Sequence, residues 1–167
     1  GVVEPDTVSS TVLCLTDLTR TLVAVAGGEI TRHDVAEDSF SFLHALKGDA
    51  RGNAVPGNLL RRETTVHHGS SGEFAIRIGD WVYLHHPGSG GNKYPKDNSG
   101  AWNHPGQLYD LRKDPGQTIN LYAKEPERVK SMLAALAKII REGRSFPGKP
   151  QKNDPAEVWK QIEGWAD

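Results

Sequence analysis

The sequence predicts an α+β fold: a small antiparallel sheet of about four strands, crossed by one long amphipathic helix, with an N-terminal lead-in of one strand and one helix. Two observations predict this fold. Between residues 64 and 84, short runs of β-branched and aromatic residues are separated by turn-forming residues, as in hairpins. After Pro126, apolar residues recur at the i, i+3, i+4, i+7 spacing of an amphipathic helix.

The lead-in begins with a β-prone run at residues 10–15, which predicts a short strand. Asp17 follows at the position of a helix N-cap, and the glycine at Gly27 predicts the end of that helix. Apolar residues at helical spacing support the prediction: Leu18, Leu22 and Val25. A second, shorter helix is predicted within residues 39–47.

Three of the predicted strands lie at residues 64–67, 74–78 and 81–84. Gly79 and Asp80 form a compact turn between the last two, which predicts a β-hairpin. In the middle strand large apolar residues alternate with Ala75 and Arg77. That alternation predicts one apolar face and one face that carries a guanidinium group.

Residues 87–105 are rich in Gly, Pro and Asn and predict a surface loop of about nineteen residues, a length typical of functional or mobile loops. A fourth strand is predicted at residues 108–111. The long helix begins at Pro126 and ends before Gly143. Asp154 begins a last helical segment that has the pattern of a capping box.

Composition excludes several classes of protein. The 20 basic residues nearly cancel the 21 acidic ones, and a net charge of -1 argues against a nucleic-acid partner. The longest apolar run has about five residues, whereas a membrane span needs about twenty. A single cysteine can form neither an internal disulfide nor a thiolate zinc site. We therefore predict no nucleic-acid partner and no membrane span.

Histidines are the first candidates for chemistry, because the pairs His67–His68 and His85–His86 flank the hairpin. Neighbouring residues in a strand face opposite sides, so each pair offers at most one inward imidazole, and the usual metal-ligand spacings are missing. No metal site is predicted. Two interpretations stay open: ordinary turn histidines that bind backbone, or His67 and His68 lining a pocket for a polar or anionic ligand.

Two other features have a functional and a structural interpretation. The run from His67 to Gly72 is rich in Gly and Ser, so its backbone N–H groups could bind an anion, or it could be an ordinary hairpin connection. Cys14 stands in an apolar pattern with no histidine near it in sequence, which favours an inert thiol over a nucleophile. No catalytic residue is predicted.

The order of several short motifs resembles the C-terminal stretch of arylsulfatase-type enzymes, from about Val8 to Gly148. The motifs are Asp17-Leu18-Thr19-Arg20-Thr21-Leu22 with Gly27, Glu37-Asp38-Ser39-Phe40-Ser41-Phe42-Leu43 with Gly48, His67-His68-Gly69 with Gly72-Glu73-Phe74-Ala75-Ile76-Arg77-Ile78-Gly79-Asp80-Trp81, Gln107-Leu108-Tyr109-Asp110-Leu111, Asp114-Pro115-Gly116-Gln117 with Asn120-Leu121, and Gly143-Arg144-Ser145-Phe146-Pro147-Gly148.

The resemblance implies a sulfuric-ester hydrolase of the alkaline-phosphatase-like superfamily, in which a large N-terminal α/β domain carries the chemistry. In such enzymes a Cys or Ser in a C-x-P-S-R type motif becomes formylglycine, and calcium neutralises charge on the sulfate oxygens. Cys14 is followed by Leu-Thr-Asp-Leu and lacks that motif. Calcium and formylglycine are therefore implied for a catalytic domain outside this chain, and we expect this chain itself to bind no cofactor.

The resemblance also divides the chain. Residues 1–48 would be a lead-in at the edge of the catalytic domain, residues 49–148 the C-terminal sulfatase subdomain, and residues 149–167 a tail helix. The lead-in and first helix would then leave an apolar patch exposed, or covered by a second copy in a homo-oligomer. A periplasmic or extracellular location is expected for the parent enzyme.

By the same resemblance, the substrate-lining candidates are His67, His68, Lys93 and Tyr94, which would bind sugar hydroxyls or stack on a ring. The predicted function is the C-terminal part of a sulfatase, inactive when isolated, whose full enzyme takes a sulfated small molecule or carbohydrate. The alternative is a stand-alone module for carbohydrate or anion binding, or for interaction, without catalysis.

Overall fold

The computed structural model describes residue 3 and residues 5–32, 34–48, 61–70, 72–88 and 104–152. These residues form two compact units: one comprises the described residues up to 63 together with 142–152, and the other comprises residues 64–141. The predicted tail helix and most of the loop at 87–105 lie outside the described residues. No helix in the described part of the chain is both long enough and apolar enough to cross a membrane.

The unit of residues 64–141 contains a four-stranded antiparallel sheet in the order β1-β2-β3-β4. Its strands are β1 (Thr64–His68), β2 (Phe74–Ile78), β3 (Trp81–Leu84) and β4 (Gln107–Asp110). Each strand pairs with the next along the chain, as expected where short turns join period-two apolar patterns. The predicted α+β class and the four predicted strands are confirmed.

One long helix packs on this sheet and forms the core of the unit. A row of residues crosses the four strands in register, Val66, Ile76, Tyr83 and Leu108. This row belongs to the same apolar cluster as Val129, Met132 and Leu136, which lie on one face of α3 (Pro126–Glu142). The helical spacing of these three residues explains why one face of α3 is buried against the sheet.

The other unit contains two short helices, α1 (Leu18–Val25) and α2 (Leu43–Leu46), and a 3-10 turn at Leu15–Asp17 directly before α1. The structure differs here from the predicted strand at 10–15: residues 10–14 belong to no strand, and a strand needs an edge to pair with. Helix α2 is also shorter than predicted. In the segment before it, the backbone N–H groups of Phe40 and Phe42 donate to side-chain oxygens of Asp17 and Thr21.

Asp17 forms a buried ion pair instead of the predicted side-chain cap of α1. Its Oδ1 lies 2.6 Å from Nη2 of Arg62, and the two side chains are 1% and 3% exposed. The carboxylate also accepts hydrogen bonds from the backbone N–H groups of Cys14, at 2.9 Å, and Phe40, at 2.8 Å. The Arg62 guanidinium donates to the carbonyl of Asp38 and lies over the Phe40 ring. The pair therefore connects segments far apart in sequence.

The segment after α3 is organised around a buried arginine. Arg144 donates from Nε to the carbonyl of Phe146 at 2.6 Å and from Nη1 to the carbonyl of Lys149 at 2.8 Å. A Cβ at Gly148 would lie 2.6 Å from the guanidinium, so this position needs a glycine for close approach. The Ser145 N–H donates to the Asp38 carboxylate at 2.7 Å, which ties the segment to the residues before α2.

Candidate functional site

A cleft of about 230 Å³ lies at one end of the sheet, where β1 ends, β2 begins and β3 ends. Its wall combines imidazoles and a carboxylate with apolar side chains and glycine backbone. The residues that line it are His67, His68, Gly69, Glu73, Phe74, Ala75, Leu84, His86 and Gly88.

The strand register brings these residues together from three strands. His67 pairs with Ala75, which in turn pairs with Leu84, and His68 pairs with Phe74. The N–H of His85 donates to the carbonyl of Phe74 at 2.8 Å, which continues the ladder beyond β3. Antiparallel pairing therefore places residues nearly twenty positions apart in sequence at one sheet end.

The two histidines of β1 divide between the faces of the strand, as the alternation of a strand requires. The His67 ring lies on the side of Thr65, whose hydroxyl is 3.0 Å from its Nε2. The His68 ring makes an edge contact with Phe74, with 4.3 Å between ring centroids. Both residues nevertheless line the cleft, because it lies at the end of the strand.

His86 faces Glu73 across the cleft, with 3.7 Å between Nε2 and a carboxylate oxygen. The N–H of Gly88 donates to Nδ1 of His86 at 2.8 Å. Because Nδ1 accepts this bond, a neutral His86 ring carries its proton on Nε2, directed toward Glu73. The backbone thus sets the tautomer, and Glu73 gives the cleft a negative charge.

The backbone after β3 is held in place by Gln107, the first residue of β4. Its Nε2 donates to the carbonyl of His86 at 3.0 Å and to that of Gly88 at 2.7 Å. The Tyr109 hydroxyl donates to Oε1 of the same glutamine at 2.5 Å. Burial raises the pKa of Tyr109, so its hydroxyl stays a donor. Gln107 therefore positions the cleft wall that His86 and Gly88 form.

Two backbone N–H groups of the glycine-rich hairpin are hydrogen-bonded within the turn and are therefore not available to an anion. The N–H of Gly69 donates to the carbonyl of Glu73 at 2.7 Å, and the N–H of Gly72 donates to the carbonyl of Gly69 at 3.1 Å. Gly72 has a φ of 87°, a left-handed conformation that closes the turn and favours glycine. This geometry favours the interpretation as an ordinary hairpin connection.

His85 belongs to the core side of the sheet. Its Nδ1 lies 2.7 Å from the Tyr83 hydroxyl. Burial, and then the neighbouring His86, lower the pKa of His85, whereas burial raises the pKa of Tyr83 above its ordinary value. Tyr83 therefore donates this hydrogen bond to a neutral His85.

The described residues do not fit the cofactors that the sulfatase resemblance implies. No three His, Cys, Asp or Glu side chains in the described ranges are arranged to hold a metal ion. Cys14 has a half-buried free thiol, and its backbone N–H donates to the Asp17 carboxylate. The sequence around Cys14 lacks the C-x-P-S-R pattern.

Of the four predicted substrate-lining residues, the structure brings His67 and His68 to the cleft, and their role there stays a prediction. Lys93 and Tyr94 lie outside the described residues. Two further residues of this site, Glu73 and Gln107, were not predicted from the sequence. Glu73 directly precedes the predicted strand at 74–78, and Gln107 directly precedes the predicted strand at 108–111. Knowledge of how these strands pair with their neighbours could have placed both residues at this end of the sheet.

Comparison with models of known protein families finds no match, and comparison with characterised protein sequences finds none either. Solved structures do match. A Bacteroides thetaiotaomicron structure named BT33336S-sulf, from work on glycosaminoglycan metabolism, has 27% identity and a TM-score of 0.55 over 74% of this chain and 24% of its own. BT4656, solved with its substrate D-glucosamine-2-N,6-O-disulfate, has 15% identity and a TM-score of 0.54 over 82% of this chain and 26% of its own.

These matches span only about a quarter of the sulfatase chains, and they cover most of this chain. They agree with the ordered motifs between Val8 and Gly148, which resemble the C-terminal stretch of the same enzymes. The chain is therefore similar in fold to a part of these sulfatase structures, and it spans about a quarter of their length.

Proposed function

We propose that this chain is the C-terminal part of a sulfuric-ester hydrolase, where it completes the fold and contributes the histidine cleft to substrate binding. The observation that carries the proposal is the match of most of this chain to about a quarter of a sulfatase chain at 27% identity. The proposal places the part of the enzyme that cleaves the ester outside that match, so the isolated chain is proposed to be inactive.

The chemistry of the cleft suits the uncharged part of a sulfated sugar. Imidazole N–H groups donate hydrogen bonds and the Glu73 carboxylate accepts them, so together they can bind hydroxyls, which do both. Phe74, Ala75 and Leu84 offer an apolar surface for the C–H face of a ring. The negative charge of Glu73 disfavours a second anionic group, so the sulfate itself would lie elsewhere.

The size of the cleft agrees with this role. Sites that enclose a whole small ligand usually measure about 300–1,000 Å³. At about 230 Å³ this cleft is smaller, and it is open to solvent at the sheet end. It would therefore hold one part of a substrate whose remainder is bound by the catalytic domain.

The first experiment compares the purified 167-residue chain with the polypeptide encoded by the whole reading frame that contains it. Both are assayed with a small aryl sulfate, with and without calcium. We expect turnover only from the longer polypeptide. Calcium-dependent turnover by the 167-residue chain alone would contradict the proposal.

The second experiment tests the cleft in the active polypeptide. H67A and H68A should each lower kcat/KM for a sulfated sugar about 3- to 10-fold, the value of a typical hydrogen bond. A small aryl sulfate has no sugar hydroxyls, so its kcat/KM should not change. H104A is the matched control, because this imidazole stacks on Tyr122 outside the cleft. Equal losses with both substrates would contradict a role in sugar binding.

A stand-alone carbohydrate-binding module is the second candidate function. It is favoured by one observation: the described residues that line the cleft all belong to one unit. Calorimetry with matched sulfated and unsulfated sugars separates the two candidates. A stand-alone module should bind with a Kd below about 1 mM, whereas the C-terminal part of an enzyme should bind neither sugar measurably when isolated.

A further inference from the structure

Glu73 carries the one carboxylate among the described residues that line the histidine cleft. Its side chain is 12% exposed, and one carboxylate oxygen lies 3.7 Å from Nε2 of His86. The same lining residues include no lysine and no arginine. A charge that is largely withdrawn from water acts strongly on a ligand beside it, because solvent and salt screen it little.

The hairpin turn fixes the position from which this carboxylate reaches the cleft. Glu73 directly precedes β2, and its carbonyl accepts a hydrogen bond from the N–H of Gly69 at 2.7 Å. The next residue, Phe74, is paired with His68 of β1. The backbone of Glu73 is therefore held by the turn on one side and by the sheet on the other, so its side chain starts from a fixed point on the cleft wall.

His86 faces this carboxylate as a hydrogen-bond donor and adds no positive charge to the cleft. Its Nδ1 accepts from the N–H of Gly88 at 2.8 Å, so Nδ1 carries no proton and the proton of the ring lies on Nε2. Gln107 donates to the carbonyls of both His86 and Gly88, which holds the backbone in the arrangement that this bond needs. The cleft therefore combines a negative charge with a neutral donor.

A hydroxyl group is the substituent that matches this combination. It both donates and accepts, so it can bind the carboxylate and an imidazole N–H together. A sulfate ester carries a negative charge and has only acceptor oxygens, so beside Glu73 it would meet like-charge repulsion and would offer the carboxylate no donor. An ammonium group only donates, and it would leave the imidazole N–H groups without an acceptor.

We propose that Glu73 is a specificity-determining residue. It admits a sulfated sugar that has a hydroxyl group at the position that meets the cleft, and it rejects the same sugar when that position carries a second sulfate ester. The inference rests on the proposed function, and it adds which substrates the cleft tells apart. A sulfate at that position would have to be removed by another sulfuric-ester hydrolysis before this enzyme could act.

The experiment uses the polypeptide encoded by the whole reading frame, a monosulfated monosaccharide that it cleaves, and the disulfated derivatives of that sugar, one for each remaining hydroxyl. For at least one derivative, kcat/KM of the wild type should be at least about tenfold lower than for the monosulfated sugar. E73Q should raise kcat/KM for that derivative about tenfold, because an amide carries no charge and can donate to a sulfate oxygen. It should lower kcat/KM for the monosulfated sugar about 3- to 10-fold, because a neutral acceptor replaces a charged one. E127Q is the matched control, because Glu127 is exposed in the first turn of α3 and does not line the cleft; both sugars should react as with the wild type.

The opposite directions of the two changes tell a specificity role from a structural one, since damage to the fold would lower kcat/KM for both sugars. Losses with both sugars in E73Q, an unchanged ratio, or an equal change in E127Q would overturn the inference and leave the proposed function intact. Wild-type enzyme that cleaves every derivative as well as the monosulfated sugar would do the same. A longer polypeptide that cleaves no sulfate ester would overturn both.

Discussion

The buried ion pair between Asp17 and Arg62 predicts a large and specific loss of stability. R62M removes the bonds from Nε and Nη2 to the carboxylate and the bond from Nη2 to the Asp38 carbonyl. The carboxylate, 1% exposed, then keeps only the backbone N–H groups of Cys14 and Phe40 as partners among the contacts described above. Breaking a buried pair by removing one partner costs about 3–5 kcal/mol, and the two remaining bonds favour the lower end.

Urea unfolding of the 167-residue chain, followed by circular dichroism, measures this loss. The matched control is R32M, because Arg32 pairs with Asp34 at the surface, where the two side chains are 72% and 56% exposed. Surface pairs contribute little, so R32M should not shift the unfolding midpoint measurably. The double variant D17N/R62M should cost less than the sum of the single changes, since no buried charge remains. Equal midpoints for R62M and R32M would refute the reasoning.

Three further predictions concern the sheet unit. L136A should lower the free energy of unfolding by about 2–5 kcal/mol, because Leu136 is fully buried between α3 and the sheet; a loss below 1 kcal/mol in urea unfolding would contradict that packing. G106A should cost about 1–3 kcal/mol, because a Cβ there would lie 2.8 Å from the Leu84 carbonyl oxygen, and wild-type thermal stability would contradict it. Because the pKa of His85 is lowered in the folded protein, the unfolded chain takes up a proton on this imidazole at a higher pH than the folded protein does. The contribution of His85 to stability is therefore fully present above about pH 6.5 and is lost as the pH falls. H85Q should flatten the fall of Tm between about pH 6.5 and 5, and an unchanged slope would contradict the burial of this imidazole.

Local sequence patterns were sufficient for the sheet unit. The period of two in 74–78, the turn at Gly79–Asp80 and the helical spacing after Pro126 each specify an element within a few residues, so the strands and α3 were predicted nearly to their ends. The patterns could not show what Asp17 binds, because its partner Arg62 lies 45 residues away. They also could not show which side of α1 is covered, since an apolar stripe has the same spacing whether it is buried or exposed.

The candidate site was predicted only in part for the same reason. His67 and His68 attract attention as a residue type, whereas Glu73 and Gln107 enter the site through the register of the strands and a hydrogen bond to backbone carbonyls. A list of reactive residues in one sequence does not contain that information. The pairing of β2 with β1 and of β4 with β3 supplies it.

The motifs outside the sheet unit that resemble those of sulfatases are explained by packing and not by chemistry. Asp17 binds the residues before α2, Asp38 binds the segment of Ser145, and Gly148 leaves room for Arg144. Three motifs that are distant in sequence therefore meet in one unit, each held by contacts that a substitution would break. Such motifs establish a shared scaffold, and a shared scaffold carries many chemistries. The function therefore has to be tested at the histidine cleft of the sheet unit.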